Sequence, residues 1–146
     1  MSEYRQSYST TIAAPVTDCF AVLVAFEDYP RWSSPITSCR VLEHHADGLP
    51  KRVEFTLDMT VKTIRYVLDY DWSDAPSAFT WKLVEGDMLR ALDGRYAFEP
   101  EGDATRVVYD LRVDLSIPLP GLVKRRAAGI IVGTALKELK RAAENP

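Results

Sequence analysis

Four tyrosines are the residues of this sequence best suited to polar chemistry on an apolar surface: Tyr66, Tyr70, Tyr96 and Tyr109. Each falls on the apolar side of a run with two-residue alternation, so the four phenols are expected on one face of a sheet. A phenol hydroxyl can donate a hydrogen bond to a carbonyl or hydroxyl of a bound molecule, and would be a polar group that orients this molecule in an apolar pocket. The alternative is that the rings belong to the core and their hydroxyls reach water or backbone at the rim of the sheet.

The histidines and cysteines offer little metal or redox chemistry. His44 and His45 are adjacent in a predicted strand, so their side chains point to opposite faces and cannot hold one metal ion together. Cys19 and Cys39 have a spacing typical of neither a metal knuckle nor a redox pair, and we expect them to be buried thiols. We therefore expect no metal and no cofactor.

The last predicted helix carries one carboxylate within its apolar side. Glu138 falls near the middle of that side, where a charge is costly unless it is paired or lies at a pocket mouth, so a functional acid is one interpretation. We expect instead that Glu138 is solvated, because it lies near the chain end, where the helix outruns the sheet. Gly129 and Gly133, on the opposite side, are expected to ease helix bending, with a homodimer contact as the alternative.

The elements that position these residues begin with a strand from Glu3 to Ala13 and a short helix. Pro15 is suited to the first helical position, and the apolar face of this helix runs from Val16 to Leu23. The segment from Glu27 to Pro35 is typical of a turn-rich link, with one more helical turn around Trp32.

Six strand-like runs follow between Ile36 and Leu115, with almost no helical periodicity. The run from Lys51 to Val61 is the clearest, because Phe55 and its apolar neighbours alternate with polar residues. Such alternation is typical of an antiparallel sheet with one buried and one solvated face. After a turn rich in proline, the residues from Leu122 to Ala142 are predicted to form an amphipathic helix.

The composition fits one domain over residues 1–146. Hydrophobic residues make up 47% and charged residues 27%, which is typical of a globular protein. The formal net charge of -3 argues against nucleic acid or an anionic membrane as a partner. No apolar run approaches the roughly 20 residues of a membrane span and no export signal is visible, so a cytoplasmic location is expected.

These elements predict a cavity between the sheet and the last helix. A helix is about 10 Å wide with side chains, whereas six or seven strands make a sheet roughly 30 Å across, so the sheet must curl. The inner face of the helix is partly alanine and fills little volume, although complete filling by aromatic side chains is the alternative. We predict that the ligand is bound by Trp32, Phe55, Leu57, Met59, Tyr66, Leu68, Tyr70, Trp81, Tyr96, Tyr109, Leu111, Ala127, Ile131, Thr134 and Ala135.

The order strand, helix, turn-rich link, six strands and long helix resembles the helix-grip fold of the START and polyketide cyclase/dehydrase superfamily, also called SRPBCC. The segment from Ile12 to Pro15 is similar to the alanine-proline helix start of that superfamily, and the segment from Phe26 to Trp32 to its proline-tryptophan loop. The segment from Leu136 to Lys140 resembles the end of its last helix. The resemblance implies an α+β fold in which a curved seven-stranded antiparallel sheet wraps around a long C-terminal helix.

The resemblance also implies a deep, mostly apolar cavity, which different members use for sterols, lipids, quinones, polyketides or plant hormones. Its aromatase and cyclase members are understood to place an arginine, a tyrosine and an amide side chain around this cavity. In an approximate alignment these positions fall near Asp71, Ile36 and Ala135 respectively, and none of the three matches. The resemblance therefore favours a binding protein over a cyclase.

We predict a domain that binds a small hydrophobic ligand, such as a lipid, quinone, sterol or polyketide-like molecule. A polyketide cyclase, aromatase or dehydratase that uses the same cavity, with tyrosines or Glu138 as acid and base, is the alternative. A protein-interaction module, similar to the quinone-binding and ribosome-associated branch of the superfamily, is a third interpretation.

Overall fold

The computed structural model describes residues 3–58, 63–116 and 120–145, and for residues 3, 4, 121 and 124–134 it describes the backbone alone. Met59 lies outside the described residues. The side chains of Ala127, Ile131 and Thr134, and the surroundings of Gly129 and Gly133, lie outside the described part as well.

Seven antiparallel strands form one sheet in the described residues, in the order β1-β7-β6-β5-β4-β3-β2. The strands are β1 Glu3–Ile12, β2 Ile36–His44, β3 Pro50–Asp58, β4 Thr63–Asp71, β5 Ala78–Gly86, β6 Leu89–Glu101 and β7 Ala104–Leu115. The helices are α1 Val16–Val24, α2 Tyr29–Trp32 and α3 Gly121–Glu144, and a short 3-10 helix at Phe26–Asp28 precedes α2. This arrangement confirms the predicted α+β class and the helix-grip architecture of a curved seven-stranded sheet with a long C-terminal helix.

Side-chain alternation explains why one face of the sheet is buried. In β7, the buried side chains are those of Thr105, Val107, Tyr109, Leu111, Val113 and Leu115, and the residues between them are more exposed. The same alternation holds in β3. Since successive side chains of a strand point to opposite faces, one face of the sheet collects the aliphatic and aromatic residues.

The first helix begins one residue later than the sequence pattern predicts. Pro15 has an extended ψ of 162° and lies just before the helix, whose first residue is Val16. α1 buries Leu23 in the core, and Phe26 follows it at 1% exposure. The ring centroid of Phe26 lies 4.7 Å from that of Tyr70 in β4, so the link between α1 and β2 is anchored in the core.

Hydrogen bonds hold the C-terminal part of α3 against the end of β1. The Lys140 ammonium donates a hydrogen bond to the Thr11 carbonyl oxygen at 2.7 Å. The Glu144 carboxylate accepts one from the Ala13 N–H at 2.7 Å and pairs with Lys140 at 2.7 Å. These contacts hold the long helix against the first strand, where Leu139 is completely buried.

The long helix is amphipathic in its C-terminal part. Leu136 and Leu139 are buried, whereas Lys137 and Arg141 are exposed. Within the described residues, no helix has the length and the apolar character needed to cross a membrane.

Charged residues form pairs between neighbouring strands on the opposite face of the sheet. Arg112 of β7 pairs with Asp93 of β6 at 3.1 Å, and Arg65 of β4 pairs with Glu54 of β3 at 2.6 Å. Such pairs are the expected use of charges on a solvent-facing sheet surface.

Candidate functional site

A cavity of about 110 Å³ lies between the buried face of the sheet and α3. Its described walls come from α2 and the link to β2, from strands β2 to β7, and from α3. An apolar cavity of about 150 Å³ holds a benzene-sized molecule, and typical ligand pockets measure roughly 300–1,000 Å³. The space therefore suits a molecule of about one ring, and a larger ligand requires movement of the side chains around it.

The predicted ligand-binding residues whose side chains the structure describes all line this cavity. They are Trp32, Phe55, Leu57, Tyr66, Leu68, Tyr70, Trp81, Tyr96, Tyr109, Leu111 and Ala135. The alternation of the strands brings most of them together, because it places them on the same sheet face. Their contact with a ligand stays a prediction.

Other lining residues were absent from the predicted set: Tyr29, Ser33, Pro35, Ile36, Ile64, Leu89, Leu92 and Glu138. Ile64 and Leu92 share the alternation of Tyr66 and Tyr96, so the strand pattern carries a signal for both. Ser33 and Pro35 lie in the link between α2 and β2, where no periodicity fixes the direction of a side chain.

The hydroxyls of the cavity tyrosines are held in the protonated form. Burial raises the pKa of Tyr66, Tyr70, Tyr96 and Tyr109, in each case above the ordinary value of 10.0. Desolvation disfavours a phenolate, so each group keeps its proton at neutral pH and can donate a hydrogen bond. These hydroxyls have no hydrogen bond to another residue of the described part of the chain.

Tyr29 and Trp32 form the wall on the side of α2. The Tyr29 hydroxyl donates a hydrogen bond to the Leu23 carbonyl oxygen at 2.6 Å, a kind of partner that the other cavity tyrosines lack among the described residues. The Trp32 ring lies 4.8 Å from the Tyr29 ring. The Trp32 indole N–H is buried and without a hydrogen-bond partner among the described residues, which leaves a second type of donor beside the cavity.

The surroundings of Glu138 differ from the expectation that its carboxylate is simply solvated. It is only partly exposed and lines the cavity. Both oxygens accept from the Ser34 N–H, Oε1 at 3.2 Å and Oε2 at 3.1 Å. The helical pattern placed Glu138 on the apolar side, but it could not show that the link to β2 reaches this part of α3.

Several other candidate residues lie away from the cavity wall. The Trp72 indole N–H donates to the Pro50 carbonyl oxygen at 2.6 Å, and its ring stacks on Tyr70. His44 is exposed, and the Nε2 atom of His45 lies 2.9 Å from the Tyr70 carbonyl oxygen. These three aromatic residues therefore have surface or packing contacts that do not involve the cavity.

The cysteines are buried free thiols, as the sequence predicted. Burial raises the pKa of Cys19 and of Cys39, which favours the unreactive thiol form. In the part of the chain that the structure describes, no group of three or more metal-ligating side chains comes together.

The positions aligned with the cyclase residues offer no proton-transfer group inside the cavity. Ile36 and Ala135 line the cavity with apolar side chains. Asp71 is exposed, and hydrogen bonds from Ser73 lower its pKa. The cavity therefore differs in these three places from the arrangement that the resemblance implies.

Residues 5–144 match the sequence model of a family described as polyketide cyclase/dehydrase and lipid transport. A search of curated proteins found no match.

Three solved structures have a similar fold. A START superfamily protein from Mycobacterium smegmatis is 24% identical, with 96% of this chain and 97% of that chain covered and a TM-score of 0.89. A protein from Thermus thermophilus is 22% identical, with 96% and 97% covered and a TM-score of 0.82. The Zhui aromatase/cyclase from Streptomyces sp. R1128 is 15% identical, with 97% and 94% covered and a TM-score of 0.81. At these identities the likeness shows the fold alone.

Proposed function

Because the chain belongs to the polyketide cyclase/dehydrase and lipid transport family, we propose that it binds a small hydrophobic molecule between its sheet and α3. The observation that carries the proposal is the composition of the cavity wall. Aliphatic and aromatic side chains make up most of the described wall, and few polar groups interrupt them. Walls of this kind are typical of small-molecule sites, in which a few polar groups orient the ligand.

The rings of the wall favour a flat ligand. Phe55 and Tyr66 stack with their centroids 5.2 Å apart and their planes 16° apart, so the planes of these two rings are nearly aligned. Tyr96 and Tyr109 meet edge to face at 4.5 Å. A planar ligand can pack on such rings, and the protonated hydroxyls can donate to an oxygen that it carries.

The test is direct binding, measured by calorimetry and by native mass spectrometry. Planar ketones, quinones, sterols and long-chain alcohols should include at least one class that binds saturably at one equivalent. Absence of binding by all four classes, together with no small molecule retained by the natively purified protein, would overturn the proposal.

A pair of variants of α3 makes this test specific to the cavity. Ala135 lines the cavity, so Ala135→Phe adds a ring where the ligand would lie and should abolish binding. Lys137 is exposed on the same helix, so Lys137→Phe adds the same ring outside the cavity and should leave binding intact. Equal loss in both variants would indicate damage to the helix instead of occlusion of the site.

A cyclase or dehydratase in the same cavity is the second candidate. It is favoured by one observation, namely that the Glu138 carboxylate and the protonated Tyr66 hydroxyl line one cavity. Such a pair offers a base and an acid, each of which contributes roughly 10²- to 10⁴-fold to a rate when correctly placed. Against it stand the apolar side chains of Ile36 and Ala135, and the raised pKa of Tyr66, which makes its hydroxyl a weaker acid.

Mass spectrometry of a confirmed ligand over many equivalents separates the two functions. The binding function predicts that the ligand is recovered unchanged. Product formed over multiple turnovers, and lost in Glu138→Gln or Tyr66→Phe, would instead establish an enzyme.

A further inference from the structure

The described wall of the cavity has a single charged side chain, and that side chain is acidic. Lys, Arg and His are missing from the described lining, which leaves Glu138 as its only ionisable group apart from the tyrosines. The partner of the carboxylate is the Ser34 N–H, a neutral donor. No cation of the described residues forms an ion pair with Glu138.

The remaining polar groups of the wall do not compensate this charge. Burial holds the five tyrosine hydroxyls, that of Tyr29 included, in their neutral form, and the Ser33 hydroxyl and the Trp32 indole N–H are neutral as well. Hydrogen bonds from neutral donors stabilise a carboxylate but leave its negative charge in place. The described wall therefore contributes one negative charge to the cavity, at Glu138 on α3.

This charge acts where water is partly excluded. Like charges repel more strongly in a partly buried site than in bulk water, because the effective dielectric constant is lower. A ligand acid group that entered the cavity would also lose hydration without gaining a cationic partner from the described wall.

We propose that Glu138 selects ligands by charge, so that the cavity accepts neutral hydrophobic molecules and rejects those with an ionised acid group, such as fatty acids. This inference rests on the binding function proposed above and names the ligand class of the same site. Glu138 is thus a specificity-determining residue.

A purely structural role for Glu138 is the competing explanation. In that role the carboxylate holds the Ser34 segment against α3, and its charge has no consequence for the ligand. Glu138→Gln separates the two roles, because the amide oxygen can still accept the Ser34 N–H while the negative charge is removed.

The experiment compares acids with neutral ligands that share the same apolar body. Two matched pairs are suitable: methyl naphthoate with naphthoate, and decanol with decanoate, each titrated by calorimetry at neutral pH. The measured quantity is the ratio of the Kd of the acid to the Kd of its neutral partner. In the wild type this ratio should be well above one for both pairs.

Substitutions should change the ratio in the order of their charge. Glu138→Gln should lower it by about fivefold or more, the effect of one unit charge about 8 Å away at an effective dielectric constant of about 40. Glu138→Lys should lower it further. Glu99→Gln removes the same charge from an exposed site of β6 and should keep the wild-type ratio.

Each other result has a distinct meaning. Equal affinity of the wild type for acid and neutral partner, or the same ratio in wild type and Glu138→Gln, would overturn charge selection and leave ligand binding intact. A change of equal size in Glu99→Gln would assign the effect to the overall charge of the protein, which also overturns it. Failure of every member of both pairs to bind, together with the absence of binding by the four ligand classes named above and of any retained small molecule, would overturn the binding function, and charge selection with it.

Discussion

The indole ring of Trp81 lies over the backbone of Gly94, its partner across β5 and β6. A Cβ atom added to Gly94 would overlap this ring and would lie 2.8 Å from the Asp110 carbonyl oxygen. Trp81 lines the cavity. Because Gly94 of β6 has no side chain, the Trp81 ring of β5 can occupy the space over its backbone.

Gly94→Ala should therefore destabilise the fold by about 1–3 kcal/mol, the usual cost of overpacking a core. Chemical denaturation measures the change in the free energy of unfolding. Combining it with Trp81→Leu should recover part of the loss, because the smaller side chain vacates the space that the methyl group needs. Additive losses in the double variant would show that the Asp110 backbone, not Trp81, sets the constraint.

Ligand binding should change the emission of the cavity tryptophans. Trp81 and Trp32 line the cavity, whereas Trp72 packs beside it with its N–H bonded to Pro50. The ligand-dependent change should persist in Trp72→Phe and decrease strongly in Trp81→Phe. A change that disappears in Trp72→Phe alone would place the ligand elsewhere.

The tyrosine hydroxyls should contribute to the affinity for ligands that carry an oxygen. Tyr66→Phe or Tyr96→Phe keeps the ring and removes one hydrogen-bond donor, so affinity for a planar ketone should weaken by about 0.5–1.5 kcal/mol. Tyr29→Phe is the matched control, since its hydroxyl is already bonded to the Leu23 carbonyl oxygen. That variant should lose stability instead of ketone recognition. Unchanged ketone affinity in both test variants would assign those hydroxyls to the core.

Glu144 should make the stability of the protein depend on pH. The Ala13 N–H, and then Lys140, lower the pKa of this carboxyl from its ordinary value of 4.5. A folded-state pKa below the unfolded value stabilises the protein above pH 4.5, and this stabilisation is lost as the pH falls through the folded value. Glu144→Gln should therefore be less stable than the wild type at neutral pH.

Thermal melts across the acid range check this expectation. The stability difference between wild type and Glu144→Gln should shrink below pH 4.5. A difference that stays constant with pH would mean that the hydrogen-bond geometry, and not the charge, is responsible.

The alternation of the strands made the sheet and most of the cavity wall predictable. A two-residue period leaves only two faces to choose between, so Tyr66, Tyr96 and Tyr109 could be assigned together. The contact of Glu138 could not be predicted in this way. Its position on the helix was evident, but its contact with Ser34 depends on a link that lies 104 positions earlier in the chain.

The size of the cavity was not predictable for a related reason. The sequence shows which aromatic rings are present, but the free volume of the cavity depends on how those rings pack against one another. The Trp81 ring lies 5.5 Å from that of Tyr96 and 5.7 Å from that of Tyr109, so the three rings occupy much of the volume that a smooth sheet would leave open.

The contacts that fasten α3 to β1 have a consequence for the order of folding. Lys140 and Thr11 are 129 positions apart, and Glu3 of β1 pairs with Asp114 of β7. Contacts between such distant positions form slowly, because a long loop must close before they become favourable. During synthesis, β1 therefore has no partner strand until β7 has left the ribosome, and its free backbone groups remain open to pairing with other chains until then.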